Sequence, residues 1–154
     1  MRTGRTALLC VLLLLAVLGA GIRAGVFHGK EDWPVPEEAK KVKNPVPSSP
    51  ASVAAGKTLY RDDCAQCHGE QGKGDGPEAD MYDPKPTDIS DAHMMSEMTD
   101  GEIFYKISEG RRPMPSFKKK LTEEQRWQIV NFVRTLAPKL APAPPPPAKK
   151  SPRH

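Results

Sequence analysis

Two cysteines and a histidine stand close together near the middle of the chain, as Cys64-Ala65-Gln66-Cys67-His68. On a helical turn, positions i, i+3 and i+4 lie on one face. Two thiols and an imidazole in this order can attach to one flat ligand, the thiols through thioether bonds and the imidazole at a central metal. The C-x-x-C-H spacing is typical of c-type haem attachment. The motif therefore predicts one covalent haem, with His68 as a ligand of its iron.

Other uses of a close cysteine pair fit this sequence less well. A structural zinc site needs four ligands, commonly from a second pair of Cys or His residues, and no second pair follows here. A thioredoxin-like redox pair needs an adjoining βαβ pattern. A simple disulfide gives His68 no role. We therefore favour haem attachment over these three alternatives.

A methionine can supply the second axial ligand of such an iron, because its soft thioether raises the potential of c-type haem. Met114 is the best candidate. Pro113 and Pro115 flank it and favour an extended backbone that presents the sulfur without a helix. The alternative is that Met114 is an ordinary core or surface residue. Gap filling in a core is the expected role of three other methionines, Met94, Met95 and Met98.

The N-terminus has the layout of an export signal. Two arginines precede an apolar run over residues 7–22, and the small residues Ala24-Gly25 follow. A secretory signal has an apolar run of about 7–15 residues, whereas a spanning helix needs roughly 20. We expect residues 1–25 to be a cleaved signal peptide or a retained membrane anchor. The remaining chain is then periplasmic, either soluble or attached to the inner membrane.

Three amphipathic helices are predicted, from about residue 52 to 64, from 99 to 109 and from 122 to 136. Their expected N-caps are Ser52, Thr99 and Thr122, the last two within capping boxes. No alternating strand pattern is visible, so the fold class predicted is all-α. A long Gly- and Pro-rich loop from about residue 69 to 98 is expected to wrap round a ligand.

The composition divides the chain into four parts. After residues 1–25 we expect an extended proline-rich linker over 26–50, the helical domain over 51–138 and a disordered basic tail over 139–154. The net charge of +4 comes from the flanks, because residues 51–138 hold 12 Lys/Arg and 15 Asp/Glu. We therefore expect no nucleic-acid partner, since such a domain carries its basic face on the folded module.

Five basic residues surround the Met114 segment in the sequence. On an otherwise acidic domain, they can steer an acidic patch of a partner towards the protein. The alternative is an ordinary solvated surface. These residues are Arg111, Arg112, Lys118, Lys119 and Lys120.

From about Ser52 to Leu136, the chain resembles the class I cytochrome c family. The resemblance is carried by the C-x-x-C-H motif, the glycine-rich run 69–77 after it and the segment around Met114. It implies a small cytochrome c fold with three main helices and long loops round one covalent haem. His68 and Met114 would be the axial ligands. The carbonyl of Pro77 would accept the N–H of His68 and fix its ring.

The resemblance also implies a crossing of the first and last helices at Gly56 and Tyr60, with Phe132 packed into it. The function it implies is one-electron transfer between redox proteins, by a monomer that is not an enzyme. Membrane reductase or oxidase complexes are the partners expected. One alternative is a haem-bearing subunit of a membrane redox complex. Another is a haem sensor or peroxidase in which Met114 leaves the iron.

Overall fold

The computed structural model describes residues 33–138, and within them the protein is helical, as predicted. Its elements in chain order are α1 Glu37–Lys40, α2 Pro50–Asp63, α3 Ala65–His68, the 3-10 helix Ala79–Met81, α4 Ala92–Glu97, α5 Asp100–Glu109 and α6 Glu123–Leu136. This part of the chain has no strand, only an isolated antiparallel bridge between Arg111 and Met114. None of its helices is long and apolar enough to span a membrane. The predicted export signal and basic tail lie outside the described residues.

Helix α2 begins earlier than the sequence pattern indicated. Its N-cap is Ser49 and not Ser52, and Pro50 takes the first helical position, where a missing N–H leaves no bond unmade. The Ser49 hydroxyl accepts from the Ser52 N–H at 3.2 Å, while the Ser52 hydroxyl accepts from the Ser49 N–H at 3.0 Å. The prediction of Ser52 was wrong because this box pairs two serines, whereas the usual box ends in Glu or Gln.

The caps of α5 and α6 follow the sequence pattern. Thr99 and Glu102 form a reciprocal capping box at the start of α5, and Thr122 and Gln125 form another at the start of α6. Helix α5 ends at Glu109, and its C-cap Gly110 has a positive φ of 65°. Both predicted capping boxes are confirmed.

The crossing of α2 and α6 brings the two backbones into direct contact. A Cβ on Gly56 would lie 2.0 Å from the carbonyl oxygen of Gln128, so only glycine permits this approach. One turn along α2, the buried ring of Tyr60 packs against Phe132 at 5.1 Å between centroids. The crossing expected from Gly56, Tyr60 and Phe132 is therefore confirmed.

The long loop after α3 has more structure than the sequence pattern indicated, because it contains the 3-10 helix and α4. The last part of this loop is held by hydrogen bonds from Arg134 of α6. The guanidinium donates to the carbonyls of Met95 and Met98, each at 2.6 Å, and to Asp100 Oδ1 at 2.7 Å. One side chain thus joins α4, the start of α5 and α6.

Residues 34–49, which lie within the predicted linker, pack on the helical domain. Val35 is buried, and a Cβ on Gly101 would lie 2.0 Å from the Ala39 carbonyl oxygen, so α1 rests on the start of α5. Asn131 of α6 bonds the Asn44 side chain at 2.9 Å and the Val46 carbonyl at 3.1 Å. An extended linker was therefore the wrong description of this segment. Part-buried hydrogen bonds hold its proline-rich backbone where few apolar side chains are available.

Candidate functional site

The attachment turn, residues 64–68, joins α2 to α3. Cys64 is the C-cap of α2 and the N-cap of α3. The N–H groups of Cys67 and His68 both donate to the Cys64 carbonyl, at 3.1 and 2.9 Å. This turn places positions i, i+3 and i+4 on one side. Both thiols are free and partly exposed, as a pair of attachment points requires.

The two thiols are held in the neutral form. Burial raises the pKa of Cys64 to about 12, and the negative charge of Asp63 adds to this effect. Burial also raises the pKa of Cys67, followed by the effect of Glu78, while a hydrogen bond from Tyr82 opposes the rise. Redox-active cysteines and zinc ligands need the thiolate. These surroundings therefore favour thiols that are attached to a group over thiols that react unaided.

The imidazole of His68 is oriented by a backbone carbonyl. Its Nδ1 lies 3.1 Å from the Thr87 carbonyl oxygen, which can only accept, so Nδ1 carries the hydrogen. Burial lowers the pKa of His68, and the bond to Thr87 opposes this shift. The ring is therefore neutral, with Nε2 as the nitrogen that can bind a metal.

The acceptor for His68 differs from the one that the family resemblance implied. Pro77 is exposed, and the contact of Nδ1 is with Thr87. The role assigned to the Pro77 carbonyl was therefore wrong. Gly76, just before Pro77, lies against the Gln66 and Ala65 carbonyls, where an added Cβ would lie 2.3 and 2.5 Å from their oxygens.

Thr87 is placed by two stretches of the loop that pack against each other. The Ile89 N–H donates to the Gly72 carbonyl at 2.7 Å, and the Gly74 N–H donates to the His68 carbonyl at 2.9 Å. Gly74 has a φ of 73°, and a Cβ there would lie 2.2 Å from the Pro86 carbonyl oxygen. Thr87 was not predicted from the sequence, where its only signal was the proline-rich stretch around it.

Met114 is held by a turn that is fastened to the end of α5. Its backbone forms the bridge with Arg111. Beyond it, the Phe117 N–H donates to the Ile107 carbonyl at 3.1 Å and the Ser116 hydroxyl donates to the Ser108 carbonyl at 2.5 Å. The side chain of Met114 is partly buried, and it packs against the same core cluster as Cys64. The structure thus brings the methionine and one attachment cysteine to a common core.

The three methionines predicted to fill the core, Met94, Met95 and Met98, lie in or against it. Met95 is buried in the core, and Met94 and Met98 pack against it. The Lys106 ammonium lies 3.5 Å from the Met98 sulfur. Filling of the core accounts for Met94 and Met95, and Met114 stays the predicted ligand.

Two of the five basic residues near Met114 are neutralised by acidic neighbours. Lys118 pairs with Glu109 at 2.8 Å, and Lys120 pairs with Asp63. These pairs weaken the positive field that the five residues would otherwise produce together. The interpretation as an ordinary solvated surface gains support from them.

The donor set fits a haem better than a bare metal ion. Within residues 33–138, no group of three or more His, Cys, Asp or Glu side chains could hold a metal ion. The residues present are two neutral thiols, a neutral imidazole and a half-buried thioether. These are the groups that tether a haem and bind its iron.

Two solved structures resemble this chain. One belongs to the reducing HAO-like protein complex Kustc0457/Kustc0458 of Kuenenia stuttgartiensis, with 28% identity and a TM-score of 0.54. That match covers 63% of this chain and 50% of the other, so this chain spans about half the length of that relative. The other, described as the KustC0563 c-type cytochrome, has 30% identity and a TM-score of 0.48 over 54% of this chain and 98% of that one.

No curated protein sequence matches the chain significantly. The family model for cytochrome c matches residues 53–137, which is more than half of the 154 residues. The matched range includes the attachment turn and Met114. The chain therefore belongs to the cytochrome c family, whose members bind haem covalently and transfer electrons.

Proposed function

We propose that this protein carries one haem c with His68 and Met114 as axial ligands and passes single electrons between redox proteins. The observation that carries the proposal is the attachment turn, where two free thiols lie within one turn of an imidazole that burial keeps neutral and the Thr87 carbonyl orients. When bound, the haem iron supplies reversible one-electron oxidation and reduction.

Each residue of the site has a separate task in this proposal. Cys64 and Cys67 tether the porphyrin, so it stays in place in both oxidation states. His68 presents Nε2 to the iron, and the Thr87 carbonyl keeps the ring from turning. Met114 would supply a second, sulfur ligand to the iron and would compete there with small molecules. This arrangement supports electron transfer and does not favour a haem sensor or a peroxidase.

We further propose that the protein works in the periplasm, either soluble or attached to the inner membrane. The arginines and the apolar run before residue 23 support this location. Membrane reductase or oxidase complexes are the proposed partners. An oxidising compartment also suits a protein whose two thiols are consumed by attachment.

A second candidate function is that of a haem-bearing subunit of a larger redox complex. It is favoured by the 28% identity to a chain of the HAO-like protein complex. The electron-transfer chemistry is the same, but the partner is then permanent. Size-exclusion chromatography of the natively expressed protein separates the two, because a permanent subunit elutes with its complex and a carrier elutes alone.

Absorption spectroscopy tests the proposed ligands. We expect a sharp α band in the reduced protein and, in the oxidised protein, the weak long-wavelength band of sulfur-ligated haem. Carbon monoxide should bind the reduced protein slowly at neutral pH, because Met114 blocks the iron. Rapid binding by the unmodified protein would instead indicate a sensor or an enzyme.

A further inference from the structure

An exposed surface beside the attachment turn combines apolar and acidic side chains. It is here named the loop surface and consists of the exposed residues Asp80, Met81 and Asp83 and the half-buried residues Glu78 and Tyr82. Met81 is 68% exposed, more than any other large hydrophobic residue within 33–138. The side chain of Asp80 is 86% exposed. An apolar side chain so open to water has no role in the core of this protein.

The loop surface is joined directly to the residues that would hold the haem. The Gly76 N–H donates to the Cys67 carbonyl at 3.1 Å, and the Glu78 N–H donates to the Gln66 carbonyl at 2.9 Å. The Tyr82 hydroxyl donates to Glu78 Oε2 at 3.5 Å, and Tyr82 lies close enough to Cys67 to oppose the rise in the pKa of its thiol. One aromatic side chain therefore connects the exposed surface to an attachment sulfur.

The charge around the loop surface is strongly negative. Residues 70–91 hold seven Asp or Glu and two Lys. One of these lysines, Lys85, is paired with Asp80 at 2.5 Å. A partner that buries Met81 and Tyr82 would bring its own side chains against this acidic rim. Charge complementarity favours a basic partner and disfavours an acidic one.

We propose that the loop surface is the docking site for a redox protein with an apolar centre and a basic rim. This proposal rests on the proposed electron-transfer function. In the docked pair, one electron leaves this protein and enters the partner, while no proton moves and no bond forms or breaks. Tyr82 is the contact through which the partner approaches the Cys67 sulfur. Electron-transfer interfaces are small, so these few side chains can form the centre of one.

The first test measures oxidation of the reduced holoprotein by two inorganic one-electron acceptors at low ionic strength. Tris(phenanthroline)cobalt(III) is cationic and aromatic, like the proposed partner surface, whereas ferricyanide is anionic. We expect the Asp80→Lys/Asp83→Lys variant to react about tenfold more slowly with the cobalt complex and faster with ferricyanide. Met81→Ser should slow only the cobalt complex, by about threefold.

The matched control carries the same charge change on another surface. Glu37 and Glu38 are exposed and lie on α1, which packs against α5. The Glu37→Lys/Glu38→Lys variant should alter the cobalt rate less than twofold. Equal effects of the two double variants would contradict the docking site, because net charge alone would then explain both. A wild type that exchanges electrons with neither acceptor would contradict the proposed function itself.

The second test needs no electron transfer. Hexaamminechromium(III), a redox-inert paramagnetic cation, should broaden the methyl resonance of Met81 at concentrations that leave Val42 sharp. Val42 is the matched control, since it is 47% exposed and stands between Lys41 and Lys43. Hexacyanochromate(III) should do the reverse. Broadening of both methyl groups by the same ion would overturn the proposal.

The basic tail of the chain itself is the competing occupant of the loop surface. Deleting residues 139–154 tests it in the holoprotein. We expect the truncated protein to keep the wild-type cobalt rate and the same response to Asp80→Lys/Asp83→Lys. If Asp80→Lys/Asp83→Lys slows the cobalt reaction only in the truncated protein, the tail covers the surface and the proposal of a redox partner is wrong.

Discussion

The imidazole of His68 owes both its charge and its orientation to its surroundings. Burial lowers its pKa, and the Thr87 carbonyl fixes the hydrogen on Nδ1. Coordination needs a neutral ring with a free nitrogen, and a second partner on the other nitrogen sets the angle of the ring. Burial, which keeps the ring neutral, and one backbone oxygen, which orients it, therefore prepare His68 to bind iron.

Replacing Met114 tests the second ligand. In Met114→Ala, we expect the reduction potential to fall by on the order of 0.2 V, because axial ligands set haem potentials over a range of about 0.8 V. Carbon monoxide should then bind rapidly to the reduced protein. Protein-film voltammetry measures the first effect and stopped-flow absorption the second. Met81→Ala is the control, and an unchanged potential in Met114→Ala would show that another group binds the iron.

The buried hydroxyl of Tyr60 makes stability depend on alkaline pH. It donates to the Gly69 carbonyl at 2.8 Å, and burial raises the pKa of Tyr60 above its usual value of 10.0. The folded protein therefore holds this proton more tightly than the unfolded chain does. The resulting stabilisation is complete below about pH 10 and is lost as the pH rises through the folded pKa.

Tyr60→Phe should remove this loss of stability at alkaline pH. At pH 8 we expect the variant to unfold with about 1 kcal/mol less free energy than the wild type, because one hydrogen bond is missing. Between pH 9 and 11, that difference should shrink by about 1 kcal/mol, since a group that titrates in only one state contributes about 1.4 kcal/mol per pH unit. Urea unfolding at the three pH values measures it. A difference that stays constant would mean that Tyr60 does not titrate on unfolding.

The attachment residues could be predicted from sequence because their chemistry fixes both residue type and spacing. Cys64, Cys67 and His68 are adjacent in the chain, so no knowledge of the fold is needed to bring them together. The acceptor for His68 could not be predicted in this way. It is a backbone carbonyl, which every residue has, and the packing of residues 72–74 against 86–89 brings Thr87 to the ring.

The crossing of α2 and α6 requires that Gly56 has no Cβ. Gly56→Ala would place a Cβ 2.0 Å from the Gln128 carbonyl oxygen, and backbone cannot yield as a flexible side chain can. We expect about 3 kcal/mol less stability, at the upper end of the usual range for overpacking. Denaturant unfolding measures the loss. Ala54→Gly, on the exposed side of α2, should cost only about 1 kcal/mol, and an equal loss in both would contradict the close crossing.

Helices were predictable where caps and apolar spacing agree, as they do in α5 and α6. Thr99 with Glu102 and Thr122 with Gln125 mark the starts, and Gly110 marks an end. Helix α4 was missed because six residues are too few to show a helical period. Its start depends on Asp91, whose side chain accepts from the Met94 N–H. An N-cap residue without a long apolar stripe after it is not sufficient to predict a helix from sequence.

The segment 34–49 belongs to the folded domain, and Asn131 is the centre of its attachment. This buried amide bonds the Asn44 side chain, the Val46 carbonyl and the Ser52 hydroxyl. The sequence pattern did not indicate this docking, because proline-rich segments usually lack the apolar surface that packing needs. Here the hydrogen bonds of one buried asparagine hold the segment in place of apolar packing.

A double-mutant cycle tests the docking of this segment. Asn131→Ala should cost about 2 kcal/mol, since it removes the donor to the part-buried carbonyls of Val46 and Pro47 and leaves the Ser52 hydroxyl without this partner. Asn44→Ala should add little once Asn131 is replaced, which gives a coupling of about 1 kcal/mol. Unfolding by urea measures the four proteins of the cycle. Strictly additive losses would mean that residues 34–49 do not dock through this pair.

The central claim for the whole molecule is that the attachment turn holds a haem through both cysteines. The most direct measurement is the mass of the protein after expression with periplasmic haem attachment and extraction with acidified acetone. We predict the mass of the mature polypeptide plus one haem, and loss of that increment in the Cys64→Ser/Cys67→Ser variant. A wild-type protein that emerges with the mass of the bare polypeptide would contradict the claim.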